Sequence, residues 1–349
     1  MGKRVNIRYF TKEKNDLVNE DNRKKYDKYL KSNIIKNPDM KNTTYRSYKN
    51  YFNQFLVYLA EDWDNVGVYS DEFMENAIDI MEGFIMFCQD TLKNNKKVIN
   101  TKLSAVSSFY LWSQKRKLIK FHPFGNGMLE RMKKANEEHI ISTYFLTEEQ
   151  QEAIEKGLIE NKDNKFDLLD LVLWKVMLDS ANRIGAIHEL KLSHLDMDNC
   201  CFTDVREKEG YRVDVSFNED TKAIIETWLQ YRKEHMDNLE VDALFISYYG
   251  GGYRQMSKGS LQGRVKKIGT IIGLDDFRCH CVRKTASNTM LDKGIDPSLV
   301  AKYLNHKDVS TTLNFYQKPK SASEIRDEIK NQLKEIRNKK NLNNNEVDK

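Results

Sequence analysis

Apolar positions recur with a helical period through the first part of the chain. Behind Asn42-Thr43-Thr44, plausible N-cap residues, Tyr48, Tyr51, Phe52, Phe55, Leu56 and Leu59 fall at i, i+3, i+4, i+7 spacing and predict an amphipathic helix. A stripe with that repeat reads as core rather than as a platform for stacking bases. The acidic segment from Glu61 to Asp90 holds another helix, Ile78 through Phe87, and Ile99 to Trp112 forms a third, lined on one side by Leu103, Val106, Phe109 and Tyr110. His122-Pro123-Phe124-Gly125 ends the next element, and a last helix is predicted from Met128 to about Ala135. Residues 1–40 are polar, with Arg23-Lys24-Lys25 and Lys28 to Lys31 predicting a short basic helix, either an ordered first helix or an arm.

Residues 136–146 read as a linker, and Thr147-Glu148-Glu149-Gln150 is a capping box that opens a second domain. Leu168 to Leu178 is a strongly apolar helix that ends near Ser180-Ala181-Asn182-Arg183, and Ile184 begins another. Then the period changes. Cys201–Arg206 and Tyr211–Ser216 alternate on either side of Glu207-Lys208-Glu209-Gly210, which predicts a β-hairpin with Lys208 at its tip. Helix resumes over Thr221–Trp228; Tyr248 to Tyr253, with three glycines, reads as a flexible loop, and Ser257–Ile272 as a basic helix. The glycines lack the Lys-Ser/Thr of a phosphate loop. Domains are expected over 1–140 and 147–320, followed by a helix over 321–338 and a disordered tail over 339–349.

With 349 residues, each of two domains can bury a core of its own. No apolar run approaches the roughly 18–20 residues of a membrane span, and the start of the chain is too polar for a signal peptide, so a cytoplasmic location is expected. The five cysteines, Cys88, Cys200, Cys201, Cys279 and Cys281, have no framework spacing and are expected to be reduced. Cys279 and Cys281 flank His280, yet no second ligand pair completes a zinc set, so no metal is expected. The net charge of +5 is unevenly spread, at +7 over residues 1–140 and −2 over the remainder. No Lys or Arg occurs from Asn50 to Leu92, whereas Lys93, Lys96, Lys97 and Lys102, then Lys115, Arg116, Lys117 and Lys120, crowd the next stretch. Such segregation fits one face turned to a polyanion, and equally a solvated charged face.

Candidate chemistry gathers near the C-terminal end, in Cys279-His280-Cys281-Val282-Arg283, Leu304-Asn305-His306 and Phe315-Tyr316. A guanidinium grips an oxyanion through paired N–H donors, an imidazole holds or passes a proton near neutral pH, and a phenol can act as nucleophile. Together they suit phosphoryl transfer. Taken singly, Arg283 reads as a surface charge, His306 as a cap and Tyr316 as a half-buried aromatic.

In order along the chain, Arg183, Lys208, His280-x-x-Arg283, His306 and Tyr316 resemble the active site of the tyrosine recombinases, the phage integrase family. The resemblance implies a mainly α protein of two domains: a helical core-binding (SAM-like) domain, then a catalytic domain of helices with a small antiparallel sheet. It further implies a site-specific DNA recombinase that works through a 3′-phosphotyrosine, without metal, ATP or other cofactor, for integration or excision of a phage or mobile element. Arg183 and Arg283 would hold the phosphate, Tyr316 attack it and Lys208 protonate the leaving oxygen; His280 would take the phenol proton or orient an oxygen, and His306 bond the phosphate. Lys93, Lys96, Lys97, Lys102, Lys115, Arg116, Lys117, Arg264, Lys266 and Lys267 are the expected DNA contacts. The chain departs from the family pattern at Ala181 and Asn305, where glycine is usual, and at Cys281 and Lys284. Ser321-Ala322-Ser323-Glu324 is a second capping box, leading to an apolar stripe of Ile325, Ile329, Leu333 and Ile336. In the family such a helix docks on a neighbouring protomer, which implies a tetramer on nucleoid DNA, with a directionality factor as a further partner. The rival reading is a phage DNA-binding regulator that keeps the fold and has lost strand exchange.

Overall fold

The computed structural model describes residues 9–36, 44–133, 144–161, 164–207, 210–236, 240–306 and 308–316, together with Ser323, Arg326, Ile329, Lys330 and Lys334. The chain divides into two compact units, residues 1–139 and 140–349. Among the described residues no helix is long and apolar enough to cross a membrane.

The first unit is helical: α1 (Lys12–Asp16), α2 (Glu20–Lys36), α3 (Thr44–Asp62), α4 (Asp71–Glu75), α5 (Ala77–Asp90) and α6 (Lys96–Lys115). Phe52, Phe55, Leu56 and Leu59 of the predicted stripe are all buried on α3, and rings fill the core. Tyr26 stacks on Phe52 with centroids 3.6 Å apart, and Phe109 meets Phe52 edge-on at 5.0 Å. Asn95 caps α6 by accepting from the Val98 N–H.

Two expectations fail here. Lys102 is 2% exposed, its ammonium 3.7 Å from Cys88 Sγ, so it does not reach a phosphate. α6 buries more than the one side that the periodicity suggested, Ile99 and Trp112 included, and the lysine lies within that wider face. No helix forms from Met128 to Met132 either. Asn126 and Gly127 take positive φ, and the chain then lies along α6, with Arg131 donating to Asn100 O and the Met132 N–H to Asn100 Oδ1. The predicted linker lies mostly outside the described residues.

The second unit comprises α7 (Glu148–Glu160), α8 (Leu168–Ser180), α9 (Ile184–His188), β1 (Leu195–Asp196), β2 (Cys201–Arg206), β3 (Arg212–Ser216), α10 (Glu219–His235), β4 (Ile246–Tyr249), β5 (Gly252–Gln255), α11 (Lys258–Gly269), α12 (Cys279–Asp292), α13 (Pro297–Tyr303) and α14 (Val309–Tyr316). Both bonds of the Thr147/Gln150 capping box form, and Asp167 and Asp170 make a second box at the start of α8. α8 is buried nearly all round and packs against α10 and α12. β1, β2 and β3 form an antiparallel sheet in which Phe202 pairs with Val215, and both face the core. The predicted loop at Tyr248–Tyr253 is instead a second hairpin, β4 on β5, because Gly250 and Gly251 supply the positive φ of a two-residue turn. Of the helix predicted over 321–338, the five described positions are helical and Ile329 is exposed; the tail after it lies outside the described residues.

Candidate active site

The site begins with a buried guanidinium. Arg283, on the second turn of α12, is enclosed, and a protein oxygen takes one donor of each terminal nitrogen: Nη1 donates to Ala181 O at 2.9 Å and Nη2 to Leu304 O at 2.6 Å. These carbonyls sit where α8 and α13 end, and the last carbonyls of a helix are unpaired and carry its negative dipole end. One arginine therefore ties two helix ends to α12. Ala181 and Asn305 both hold left-handed backbone, at φ 50° and 54°. The turns survive without glycine, at a cost of about 1–2 kcal/mol for alanine and less for asparagine, whose side chain tolerates that region.

Past Asn305, the His306 N–H donates to Ala301 O, which fixes the ring beside Arg283. His306 Nε2 lies 3.0 Å from Arg283 Nη2 and its Nδ1 2.8 Å from the Thr312 hydroxyl. The guanidinium can only donate, so Nε2 accepts and the proton resides on Nδ1. Burial, then the positive charge of Arg283 and Arg183, pushes the His306 pKa down to about 4, in keeping with that neutral tautomer. His280, in the first turn of α12, keeps some exposure to solvent; desolvation by the surrounding site, then the charges of Lys284, Arg283 and Arg183, likewise lower it to about 4.

Tyr316 ends α14 and is 5% exposed. Its ring lies 4.5 Å from that of His306 and 5.4 Å from that of His280, with the Arg283 guanidinium 5.5 Å and the Lys284 ammonium 5.9 Å from its centroid. Arg183 approaches from the N-cap of α9, where its Nη1 donates to Glu207 Oε1 at 2.9 Å. The arginine side chain is 38% exposed and the carboxylate's 4%. Five of the six residues singled out from sequence are thus brought together; Lys208 lies outside the described residues, directly after Glu207.

Sequence reasoning missed Glu207, Thr312 and Lys284. Glu207 was absorbed into a turn, and nothing in its spacing reveals that it folds inward. Thr312 carries no periodic signal. Lys284 registered only as a departure beside Arg283, although a second cation there was itself a usable signal; it is buried, which depresses its pKa.

The expected DNA contacts do not form one set. Lys93 and Lys97 are exposed and Lys96 half-buried at one end of α6, and Lys115, Arg116 and Lys117 are exposed at the other, about 30 Å away at 1.5 Å per residue. Arg264 is committed to Asp167 and Asp170, with its shortest contacts at 2.8 Å, and staples α11 to α8. Lys266 is exposed, and Lys267 bonds Lys165 O and lies over the Phe166 ring.

The arrangement holds a tyrosine among two neutral imidazoles and two guanidiniums, the equipment of a phosphoryl-transfer site. Residues 144–322 match the family described as Phage integrase family, about half of the chain. The chain belongs to that family, the tyrosine recombinases. It is 26% identical over 143 residues to Tyrosine recombinase XerA of Saccharolobus solfataricus, a stretch that covers 41% of this chain and only 44% of that relative. To Tyrosine recombinase XerC of Lactobacillus delbrueckii subsp. bulgaricus it is 26% identical over 217 residues, 61% of this chain and 70% of the relative. The fold matches the Tn1549 transposon integrase in complex with circular intermediate DNA, with TM-score 0.60, 16% identity, and coverage of 86% of this chain and 97% of that one. It also matches a lambda integrase dimer bound to a core site, with TM-score 0.59, 13% identity, and coverage of 84% and 95%. The mainly α architecture of two domains, with small antiparallel sheets, is that of these integrases.

Proposed function

We propose that this chain is a site-specific DNA recombinase that cuts and rejoins duplex DNA through a 3′-phosphotyrosine at Tyr316, in the integration or excision of a phage or mobile element. The observation that carries the reading is the placement of Tyr316 against His280, His306 and Arg283, with Arg183 acting on the same groups.

Arg183 and Arg283 hold non-bridging oxygens of one phosphate and offset the charge that grows on them in the transition state. Tyr316 Oη forms a bond to phosphorus as the bond from phosphorus to the 5′-oxygen breaks. The phenol proton passes to His280, which is neutral and able to accept it, and Lys208 supplies a proton to the departing 5′-oxygen. His306, held by Thr312, hydrogen-bonds the phosphate once its Nε2 carries a proton and the Arg283 N–H that it accepts from turns to the phosphate. Attack by the 5′-hydroxyl of a partner strand reverses the step, so the energy of the broken bond stays in the enzyme-DNA link and ATP is not needed. The exposed cations at both ends of α6 would contact the duplex, and the helix after residue 320 would dock on a neighbouring copy within a tetramer. Tyr316 is nearly buried, and a shift of α14 on assembly would open it to the phosphate, which fits cleavage that waits for assembly. A directionality factor remains a further partner of this reading.

The test is a nicked duplex carrying the chain's own site, from which the cleaved fragment diffuses away. Wild type should accumulate a covalent protein-DNA adduct, and Tyr316→Phe should form none. Tight binding with no adduct from wild type would instead identify a regulator that has lost strand exchange.

A further inference from the structure

The second hairpin is not explained by the active site. β4 and β5 pair from Ile246 with Gln255 to Tyr249 with Gly252, a ribbon about 13 Å long at roughly 3.3 Å per residue. Near its tip, Tyr248 is 65% and Tyr249 71% exposed. Single exposed aromatics are ordinary, but these are adjacent and held in place. The Tyr248 ring packs edge-on against Tyr253 at 5.2 Å, and Tyr253 in turn packs on the core. On the other side the Arg254 guanidinium lies 4.0 Å from the centre of the Tyr249 ring, a cation–π pair that aligns a charge at the surface.

Charge indicates the kind of partner. From Ala243 to Leu274 the chain has no Asp or Glu and five cations, Arg254, Lys258, Arg264, Lys266 and Lys267, of which Arg264 is neutralised internally. An acid-free run bearing exposed rings fits a polyanion better than an acidic or mixed protein surface. Position indicates which polyanion. Gln255 Nε2, at the base of the ribbon, donates to His188 O at 2.7 Å, and the Lys258 ammonium lies 3.7 Å from where a β-carbon on Gly185 would stand. The Gln255 bond ties the ribbon to α9, whose N-cap is Arg183, and Lys258, at the start of α11, lies beside that helix. The ribbon is therefore anchored on the helix that presents one of the two phosphate-binding guanidiniums.

We infer that the β4–β5 ribbon is a duplex-DNA contact of the second unit, gripping backbone beside the phosphate that Arg183 holds; this rests on the recombinase reading above. Arg254, steadied by Tyr249, pairs with a phosphate, and the Tyr248 and Tyr249 rings, on opposite faces of the ribbon, pack on the two sugar-phosphate walls of a groove that a two-stranded ribbon can enter.

The full chain is titrated into a fluorescein-labelled duplex of about 30 bp, roughly three helical turns, and anisotropy is followed as potassium chloride is raised. Arg254→Ala should weaken binding and reduce the slope of log affinity against log salt by about 0.9, the signature of one lost phosphate contact. The double change Tyr248→Ala/Tyr249→Ala should weaken binding about fivefold or more, through lost packing and a less fixed Arg254. Thermal midpoints equal to wild type would show that both variants fold. Wild-type affinity and slope in both folded variants would overturn the inference, whether or not self-association is altered. Wild type that binds no duplex would overturn the recombinase reading itself, and with it this one.

Discussion

Two regions of the second unit are each built on a buried guanidinium, and they differ in what is left over. Arg232, on α10, donates to Ala243 O, Leu244 O and Val241 O, at 2.7 to 3.3 Å, so it staples the chain beyond α10 onto that helix. Arg283 also donates to two carbonyls, but it shares the rest of its surroundings with Arg183, Lys284 and two neutral histidines, and its buried Nε has no hydrogen-bond partner among the described residues. One region is complete in itself. The other sets two guanidiniums, Arg183 and Arg283, beside one carboxylate among the described residues, Glu207, and burying such a set is costly without an anion to pair with. Local satisfaction, more than burial, separates a structural arginine from a receptor.

The largest expected break in this comparison comes from exchanging the two positions' fates. Arg283→Ala should slow adduct formation about 10³-fold, because donors aimed at developing charge are worth roughly 10²–10³ each. Arg232→Met should cost about 3 kcal/mol of stability by stranding buried carbonyls, while the rate per folded molecule stays near wild type. Rates from nicked-site cleavage, set beside denaturant melts, check both. A loss of stability without a loss of rate at Arg283 would erase the distinction.

Glu207 should give the next effect. It offsets charge at the site and fixes Arg183, so Glu207→Ala should slow cleavage about tenfold by letting the guanidinium wander. Glu207→Gln keeps an acceptor and should recover most of that loss. Equal rates for both variants and wild type would leave Arg183 held by other means.

The smallest effect is a dependence on pH. His280 and His306 have pKa values near 4 in the fold and near 6.5 when unfolded, so the unfolded chain binds more protons between these limits. Their contribution to stability is present in full above about pH 6.5 and is lost as pH falls toward 4. The melting midpoint should decline over that window, and the double variant His280→Asn/His306→Asn should decline less. Parallel curves would place the acid sensitivity elsewhere.

Much of this architecture was legible because helical periodicity and capping boxes are local. The α3 stripe, the Thr147 box and the β2–β3 alternation each contain their own signal within a few residues, and Arg183, His280, Arg283, His306 and Tyr316 carry chemistry that few other side chains can. Legibility failed where an outcome depended on distant neighbours. Lys102 looked like a solvent-facing cation, but α6 is covered on more than one side. Arg264 looked like a DNA contact, yet it meets Asp167 and Asp170, nearly a hundred residues earlier in the chain. The glycines after Tyr249 read as slack, whereas the same positive-φ freedom closes a tight hairpin.

Everything proposed for the site turns on Tyr316 as the nucleophile, and mapping the covalent bond puts that to the test. Adduct trapped on the nicked site is digested with protease and nuclease and the modified peptide sequenced by mass spectrometry. The expected product is a nucleotide joined through its 3′-phosphate to Tyr316, with a free 5′-hydroxyl on the released strand. A bond to any other residue, a 5′-phosphate linkage, or no adduct despite tight binding of the site would contradict it.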